Sequence, residues 1–211
     1  MDRLIIVFLK WPEPGKVKTR LAKSLGSKQA AAVYRQLVHQ VALHLGDYAT
    51  TDLAICFTPA DRETELRDWL TPIFQRTIQH WWPQDPGNLG DRQHQAFQRA
   101  TESGYRQTAI IGTDCLDLTP AIFDTTWRAL ERHHWMLGPT KDGGYYLIAG
   151  QNSANHAHTW ESIRWSTEHT LRDLVTNLDR AQQTHLFLEI MNDVDDYEDW
   201  ISIKDRLTIK E

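Results

Sequence analysis

The sequence predicts an α/β fold in three layers (α/β/α), in which helices cover both faces of a mostly parallel sheet with one antiparallel strand. Two observations support this prediction. Short apolar segments alternate with amphipathic helical segments through the first two thirds of the chain, and one pair of apolar segments lies too close together for a helix to connect them. The 211 residues contain no internal repeat and no Pro-, Gly- or Ser-rich linker, so residues 1–211 are expected to form a single domain.

Seven strands are expected. The first, at residues 4–9, is apolar on both faces, which is typical of a buried parallel strand. Two apolar runs within residues 135–150 are separated only by Asp142-Gly143-Gly144, a turn sequence, and this pair supplies the antiparallel strand. The other predicted strands are 53–57, 77–82, 108–111 and 185–190, with 135–137 and 145–148 forming the close pair.

Helices are expected between most of these strands. Ser27 can cap a helix whose apolar residues recur every three or four positions until Gly46 ends it. Thr119 followed by Pro120 is a strong start signal for a helix that runs to about residue 133. The remaining predicted helices are 61–70, 91–103, one from Ser166 or Thr167 to about 183, and a terminal helix from Tyr197.

Composition narrows the possible functions. A formal net charge of −5 argues against a nucleic-acid partner, and 41% hydrophobic with 24% charged residues excludes global disorder. The longest apolar run, residues 4–9, is far too short to span a membrane. Cys56 and Cys115 lie far apart without metal-binding spacing, so a reducing cytoplasm is the simplest location. The oligomeric state cannot be read from the sequence.

A cationic loop follows the first predicted strand. It contains Gly15 and four cations, Lys10, Lys16, Lys18 and Arg20. Ligands of open α/β sheets bind beyond the carboxyl ends of the strands, so this loop suits an anionic ligand such as phosphate. The alternative is an ordinary solvated loop. The loop has neither a GxGxxG nor a Walker A pattern, which disfavours a Rossmann dehydrogenase or a P-loop NTPase.

Aspartates follow two other predicted strands. Asp114 and Asp117 come after the fourth strand, and Asp195 lies in an acidic cluster after the last one. Carboxylates at strand ends can hold Mg²⁺ or Mn²⁺, and one such ion could be held between Asp114 and Asp195 opposite the cationic loop. The alternative is that these residues complete a turn or cap a helix.

Two weaker signals concern an acceptor or sugar. Asp142-Gly143-Gly144 is a good hairpin turn, but Gly143 and Gly144 would also let the chain pass close to a bound sugar or acceptor. Trp165 is one of nine tryptophans and, with Trp11 and the pair at 81–82, is expected in a loop or at a strand end where a base or sugar can stack.

Six motifs in order resemble the DUF2064 family of glycosyltransferase-A-type proteins. The resemblance covers nearly the whole chain and implies a nucleotide-diphospho-sugar transferase fold. The motifs are FLKWPEPGKVKTRLAKSLG (8–26), GDR (90–92), GTDCLDLTP (112–120), GPTKDGGYYLI (138–148), WST (165–167) and DVDDYED (193–199).

The resemblance also implies roles for individual residues. Gly15, Lys18 and Arg20 match the loop that wraps the phosphates of the nucleotide. Gln84 and the Gly90 backbone are similar to a stretch that reads a base edge, and Asp114 and Asp195 match the metal ligands.

The expected function is a metal-dependent transferase that binds a nucleotide or nucleotide-sugar and moves a glycosyl group to an unknown acceptor, with Asp117 or Asp142 as the base. One alternative is nucleotidyl transfer to a small phosphorylated or sugar substrate. Another is a non-catalytic nucleotide-binding accessory protein. Leu116 and Lys141, which depart from the family pattern, favour this last alternative.

Overall fold

The structure is a computed structural model that describes residues 2–46, 48–154, 156 and 158–207. Seven strands form one sheet in the order β3-β2-β1-β4-β6-β5-β7. The strands are β1 Arg3–Lys10, β2 Asp52–Thr58, β3 His80–Pro83, β4 Gln107–Ile111, β5 Trp135–Pro139, β6 Tyr145–Gln151 and β7 His185–Phe187.

Pairing within the sheet matches the predicted fold class. β1 runs parallel to β2 and β4, with Val7 in register with Ile55 and Ile111. β6 is antiparallel to both of its neighbours, β4 and β5, while β7 returns parallel to β5. The mostly parallel sheet with one antiparallel strand is therefore confirmed, and the short turn at 142–144 is what reverses the chain direction.

Helices cover both faces of the sheet. Alternate residues of β1 explain the layering, because Ile5, Val7 and Leu9 pack in one apolar cluster while Leu4 and Ile6 pack in another. The first cluster includes residues of α2, α3 and α5, and the second includes residues of α4 and α6. The helices are α1 Thr19–Leu25, α2 Ser27–Gly46, α3 Glu63–Phe74, α4 Leu89–Glu102, α5 Pro120–Ala129, α6 Thr170–Arg180 and α7 Tyr197–Ile203.

Several helix ends differ from the prediction. α5 stops at Ala129 rather than near residue 133. α6 begins at Thr170 rather than at Ser166 or Thr167, because Ser166 has a left-handed backbone (φ 59°) and the next residues form a turn in which the Thr170 N–H donates to the Thr167 carbonyl at 3.1 Å. The terminal helix at Tyr197 is confirmed, with Asp196 accepting hydrogen bonds from two backbone amides of its first turn.

A third, smaller apolar cluster ties the C-terminal segment to α1 and α2. Leu116 is buried here beside Leu21, Leu37 and Val194. The leucine that departs from the family pattern thus contributes to core packing in this chain. Within the described residues, no helix is both long and apolar enough to cross a membrane.

Candidate functional site

A cleft of about 530 Å³ opens at the carboxyl ends of β1 and β4, and we call it the carboxyl-edge cleft. Its volume lies in the usual range for small-ligand sites. Its wall includes the end of β1, the loop that follows it, the start of α4 and the segment after β4. The charged residues that line it are five cations, Lys10, Lys16, Lys18, Arg20 and Arg92, and two carboxylates, Asp114 and Asp195.

The loop after β1 is folded against the sheet. Tyr34 on α2 accepts a hydrogen bond from the backbone N–H of Lys10 at 2.9 Å, and Trp11 N–H donates to the Thr58 carbonyl at 2.8 Å. Gly15 has a φ of 86°, a conformation that favours glycine. These contacts bring the predicted phosphate-binding residues to the edge of the sheet, where Lys10, Lys18 and Arg20 line the cleft.

Lys18 joins the two carboxylates of the cleft. Its Nζ lies 2.8 Å from Asp114 Oδ1 and 3.3 Å from Asp195 Oδ1, and its side chain is only 4% exposed. Arg20 contacts the other oxygen of Asp195 at 3.3 Å but is 63% exposed. The structure thus gathers the predicted cationic loop and the predicted metal ligands into one ionic cluster.

Backbone pairing explains why Asp195 lies beside Asp114. Val194 is buried and donates its N–H to the Asp114 carbonyl at 3.0 Å, which fixes the C-terminal segment against the end of β4. Asp196 points away to cap α7. Within the acidic cluster, Asp196 therefore caps α7, whereas Asp195 lines the cleft.

Asp193, which the sequence analysis did not assign to the site, lies in a smaller adjoining cavity of about 80 Å³ that Asp114 also lines. Burial and, next, the nearby carboxylate charges of Asp142 and Asp195 raise the pKa of Asp193 to about 7. Asp193 is therefore partly protonated at neutral pH and lies next to the carboxylates of the ionic cluster.

Gln84 and Arg92 form the other wall of the cleft. The Gln84 side-chain amide donates to the Cys56 carbonyl at 3.0 Å, and its oxygen accepts from Arg92 at 3.3 Å. Gly90 is buried in the first turn of α4, and a Cβ there would lie 2.6 Å from the Trp165 ring. Gln84 therefore faces the ligand space, whereas Gly90 makes room for a tryptophan.

The two candidate bases lie outside the lining of the carboxyl-edge cleft. Asp117 forms an ion pair with Arg206 from the C-terminal segment. Asp142 accepts hydrogen bonds from the Thr140 hydroxyl at 2.6 Å and the Gly144 N–H at 3.0 Å, so it stabilises the turn between β5 and β6. The structure gives both carboxylates partners that do not line the cleft, although Asp142 lies close enough to Asp193 for its charge to raise the pKa of that residue.

The predicted acceptor glycines also have structural roles. Gly143 has a φ of 87°, and a Cβ there would lie 2.2 Å from the Glu168 carbonyl oxygen. A Cβ on Gly144 would lie 3.0 Å from the Thr140 hydroxyl. The turn is therefore packed against the segment before α6, and any role in binding a sugar or acceptor stays a prediction.

Sequence reasoning missed Arg92 and Tyr34 as site residues. Arg92 belongs to the GDR motif, but its role depends on the first turn of α4 reaching the cleft. Tyr34 follows the apolar spacing of α2 and is buried, which raises the pKa of its hydroxyl and keeps it protonated. Its hydrogen bond to the Lys10 N–H and its place in the lining of the cleft identify it as part of the site.

The donor set suits a divalent cation only when a phosphate accompanies it. Within the described residues, no group of three or more His, Cys, Asp or Glu side chains is arranged to hold a metal ion. Asp114 and Asp195 are 43% and 37% exposed, and Mg²⁺ commonly binds one or two carboxylates together with phosphate oxygens and water. The pair fits such an ion, provided that the Lys18 ammonium leaves its place between them.

Comparisons with solved structures agree with this fold. The crystal structure of a candidate nucleotide-diphospho-sugar transferase from Desulfovibrio desulfuricans G20 is 30% identical, with a TM-score of 0.87 over 100% of this chain and 89% of that one. The 4-diphosphocytidyl-2C-methyl-D-erythritol synthase of Anaerococcus prevotii DSM 20548 is 10% identical, with a TM-score of 0.63 over 97% and 95% of the two chains.

A nucleotidyl transferase from Methanothermobacter thermautotroptrophicus is 12% identical, with a TM-score of 0.57 over 98% and 97% of the two chains. At such low identity, it and the synthase show a shared fold alone. A comparison with curated proteins finds no match.

The family comparison covers more than half of the chain. Residues 40–167 match the model of a family described as an uncharacterized protein conserved in bacteria, DUF2064. This range includes β2 to β6 and Asp114, and the relative from Desulfovibrio desulfuricans extends the similarity over the rest. The chain belongs to the DUF2064 family.

Proposed function

We propose that this protein is a nucleotide-dependent transferase that moves a glycosyl group from a nucleotide-diphospho-sugar to a small acceptor. The observation that carries the proposal is the charge of the carboxyl-edge cleft, where five cations face two carboxylates beyond the ends of β1 and β4. An excess of cations suits a diphosphate, and this is where open α/β sheets bind their ligands. The 30% identical relative named for such a transferase supports the donor class.

Two parts of a nucleotide-sugar, the diphosphate and the base, have matching residues in the cleft. Lys10, Lys18 and Arg20 would neutralise the diphosphate, whose charge grows when the sugar leaves. Gln84 and Arg92 lie on the wall where a base would sit, and their side chains are already oriented by mutual contact. Asp114 and Asp195 would hold Mg²⁺ or Mn²⁺, which would supply further charge neutralisation at the leaving group.

Nucleotidyl transfer is the second candidate, and one observation favours it. Neither Asp117 nor Asp142, the candidate bases for an acceptor hydroxyl, lines the cleft, and both already have hydrogen-bonding or ionic partners. A nucleotidyltransferase whose acceptor is a phosphate needs no such base, and positioned cations around the reacting phosphate are its main requirement. Both candidates share the same nucleotide site.

Ligand-induced stabilisation tests the shared part of the proposal. Nucleotides and nucleotide-sugars are screened by thermal shift with and without Mn²⁺, and one of them is expected to raise the melting temperature. A ligand at 100 times its Kd adds about 2.7 kcal/mol to the free energy of unfolding. Asp114→Ala should remove the Mn²⁺-dependent part of the shift, whereas Arg106→Ala, on the opposite edge, should not. If no nucleotide stabilises the protein, the proposal is wrong.

The released product separates the two reactions. Glycosyl transfer releases a nucleoside diphosphate, whereas nucleotidyl transfer from a triphosphate releases pyrophosphate. Binding without either product in a broad acceptor screen would favour the accessory-protein alternative.

We also infer a reducing, cytoplasmic location from Cys56 and Cys115, which are both buried and unpaired.

A further inference from the structure

Lys18 is much more deeply buried than Arg20, the other cation of the carboxyl-edge cleft that contacts Asp195. Its side chain is 4% exposed, whereas that of Arg20 is 63% exposed. Its backbone adopts the left-handed conformation, with φ 46° and ψ 49°, which is costly for a residue with a side chain. The conformation is fixed in part by α1, because the Ala22 N–H donates to the Lys18 carbonyl at 2.8 Å. The loop thus holds the lysine in one place.

That place is between the two carboxylates that would bind a metal ion. Among the cations that line the described cleft, Lys18 is the one that contacts both Asp114 and Asp195. Its ammonium neutralises part of the negative charge of the two carboxylates, which a bound divalent cation would otherwise neutralise. A cation that entered the free protein would therefore have to displace Lys18 and leave a nearly buried ammonium without its partners, which is costly.

We propose that Lys18 is the resident counter-ion of the Asp114–Asp195 pair and excludes divalent cations from it in the free protein. The consequence for turnover rests on the proposed function. The phosphates of a nucleotide would offer the Lys18 ammonium new anionic partners and bring oxygen ligands for the metal ion, so the ion would bind with the nucleotide rather than before it. Lys18 is in this sense a positioning residue, which makes metal binding conditional on nucleotide.

Metal binding to the nucleotide-free protein tests the inference directly. Free Mn²⁺ is measured by electron paramagnetic resonance during titration of the wild type, Lys18→Met and the double variant Lys18→Met/Asp114→Asn. Lys18→Met is expected to bind one Mn²⁺ at least about tenfold more tightly than the wild type, a difference of about 1.4 kcal/mol. The double variant should lose this gain, since the gained ion needs the Asp114 carboxylate.

A matched control separates local from general charge effects. Lys23 lies in the last turn of α1 and is exposed, so Lys23→Met removes the same charge a short distance away. It should leave Mn²⁺ affinity at the wild-type level. Lys18→Gln provides a second variant, with a polar side chain of similar length, should the methionine variant fail to fold. Folding is checked by circular dichroism and the melting temperature before each titration.

The outcomes are distinct from those of the proposed function. The inference is overturned if the wild type binds Mn²⁺ as tightly as the folded Lys18 variants, or if Lys23→Met gains affinity equally. Because these titrations contain no nucleotide, their result does not depend on which nucleotide the protein binds, or whether it binds one. A gain in the Lys18 variants together with a negative nucleotide screen would support the counter-ion role and reject the proposed function.

Discussion

The two edges of the sheet each carry a cleft, and they differ in charge more than in size. The cleft at the amino ends of β1 and β4, which we call the amino-edge cleft, is the larger, at about 800 Å³ against about 530 Å³. Its charged lining residues are balanced, with Arg3 near Glu131 at 3.8 Å and Arg106 near Asp2 at 3.6 Å. At the carboxyl edge, five cations face two carboxylates.

This difference shows that cleft volume alone does not identify the binding site. Balanced ion pairs at an exposed edge contribute little energy and leave no net charge for an ionic ligand. At the carboxyl edge the excess of positive charge lies between the end of β1 and the first turn of α1, and on α4, where it is available to phosphate. We therefore expect substitutions at the carboxyl edge to change binding. Substitutions at the amino edge should leave binding unchanged and should lower stability only where they remove a buried side chain.

The largest expected effect is on stability, near the amino edge. Trp127 on α5 is almost fully buried, with the Arg3 guanidinium 5.9 Å from its ring. Trp127→Ala should lower the free energy of unfolding by about 3–5 kcal/mol, because it leaves a cavity that the sheet cannot fill. Chemical denaturation measures the loss. Trp127→Phe keeps most of the buried area and should cost much less, and equal losses in the two variants would contradict a packing role.

A smaller effect is expected on binding at the carboxyl edge. Arg20→Met should weaken binding of the nucleotide found in the thermal-shift screen by about tenfold, since one charge-assisted contact to phosphate is lost. The free energy of unfolding should change by less than about 0.5 kcal/mol, because Arg20 is exposed. Isothermal titration calorimetry at low and high salt measures the affinity.

Arg106→Met is the matched control, since Arg106 is also exposed and has one long ion pair. It should leave nucleotide affinity unchanged at both salt concentrations. An equal loss of affinity in the two variants would mean that nucleotide binding depends on the overall charge of the protein rather than on the cations of the carboxyl-edge cleft. The proposed difference between the two edges would then be wrong.

A pH effect on stability is expected near the amino edge. Burial lowers the pKa of His156, whose ring packs against Trp135 and Phe97 and whose Nε2 lies 3.1 Å from the Gln151 carbonyl oxygen. The folded state therefore prefers neutral imidazole, while the unfolded chain takes up a proton near the ordinary pKa of about 6.5. The stabilisation is complete above that value and is lost as the pH falls below it.

The His156 contribution should therefore lower the free energy of unfolding at pH 5 relative to pH 7. Asp193, whose folded-state pKa is raised to about 7, contributes in the opposite sense, so the effect is measured by denaturation at both pH values as the difference between wild type and variant. His156→Phe, which keeps an aromatic ring, should reduce this pH dependence. A residual slope is expected from His80, whose pKa burial also lowers. A slope identical to the wild type in His156→Phe would show that His156 does not contribute.

Sequence patterns predicted the strands and helices whose apolar residues recur regularly, and they predicted that the cationic residues lie at the carboxyl ends of the strands. β1 is apolar on both faces, and α2 begins at Ser27 and ends at Gly46 as expected, since long segments average out local exceptions. α1 has seven residues with only Leu21 buried, which is too little periodicity to recognise. The ends of α5 and α6 depended on tertiary contacts and local backbone geometry that propensity does not encode.

The candidate site was partly predictable for the same reason. Asp195 follows β7, three strands away from β4, and reaches the site through the pairing of Val194 with Asp114. Lys18 and Asp114 follow the neighbouring strands β1 and β4, so their proximity follows from the fold class. Their arrangement does not, because the position of the Lys18 ammonium depends on a left-handed backbone at a single residue. Arg92 was missed since its contribution depends on where α4 begins, which a capping box at Asn88 and Asp91 decides.

The smallest expected effect is on tryptophan fluorescence. Among the described residues, no tryptophan lines the carboxyl-edge cleft, and Trp11 packs edge-on against Trp69 instead. Trp165 is the tryptophan best placed to respond, because the next residue, Ser166, lines the cleft and because the Trp165 ring covers Gly90 at the start of α4. Trp11 also adjoins a lining residue, Lys10, but its ring packs against Trp69. Saturating nucleotide should therefore change the emission only slightly, through Trp165.

Trp165→Phe should abolish that change. Trp81→Phe is the control, since Trp81 packs beneath the Arg67 guanidinium, 4.7 Å from its ring, and does not line the cleft. This variant should keep the wild-type response. Strong quenching that survives Trp165→Phe would contradict this expectation and place another ring against the ligand, and Trp11→Phe would then test whether that ring is Trp11.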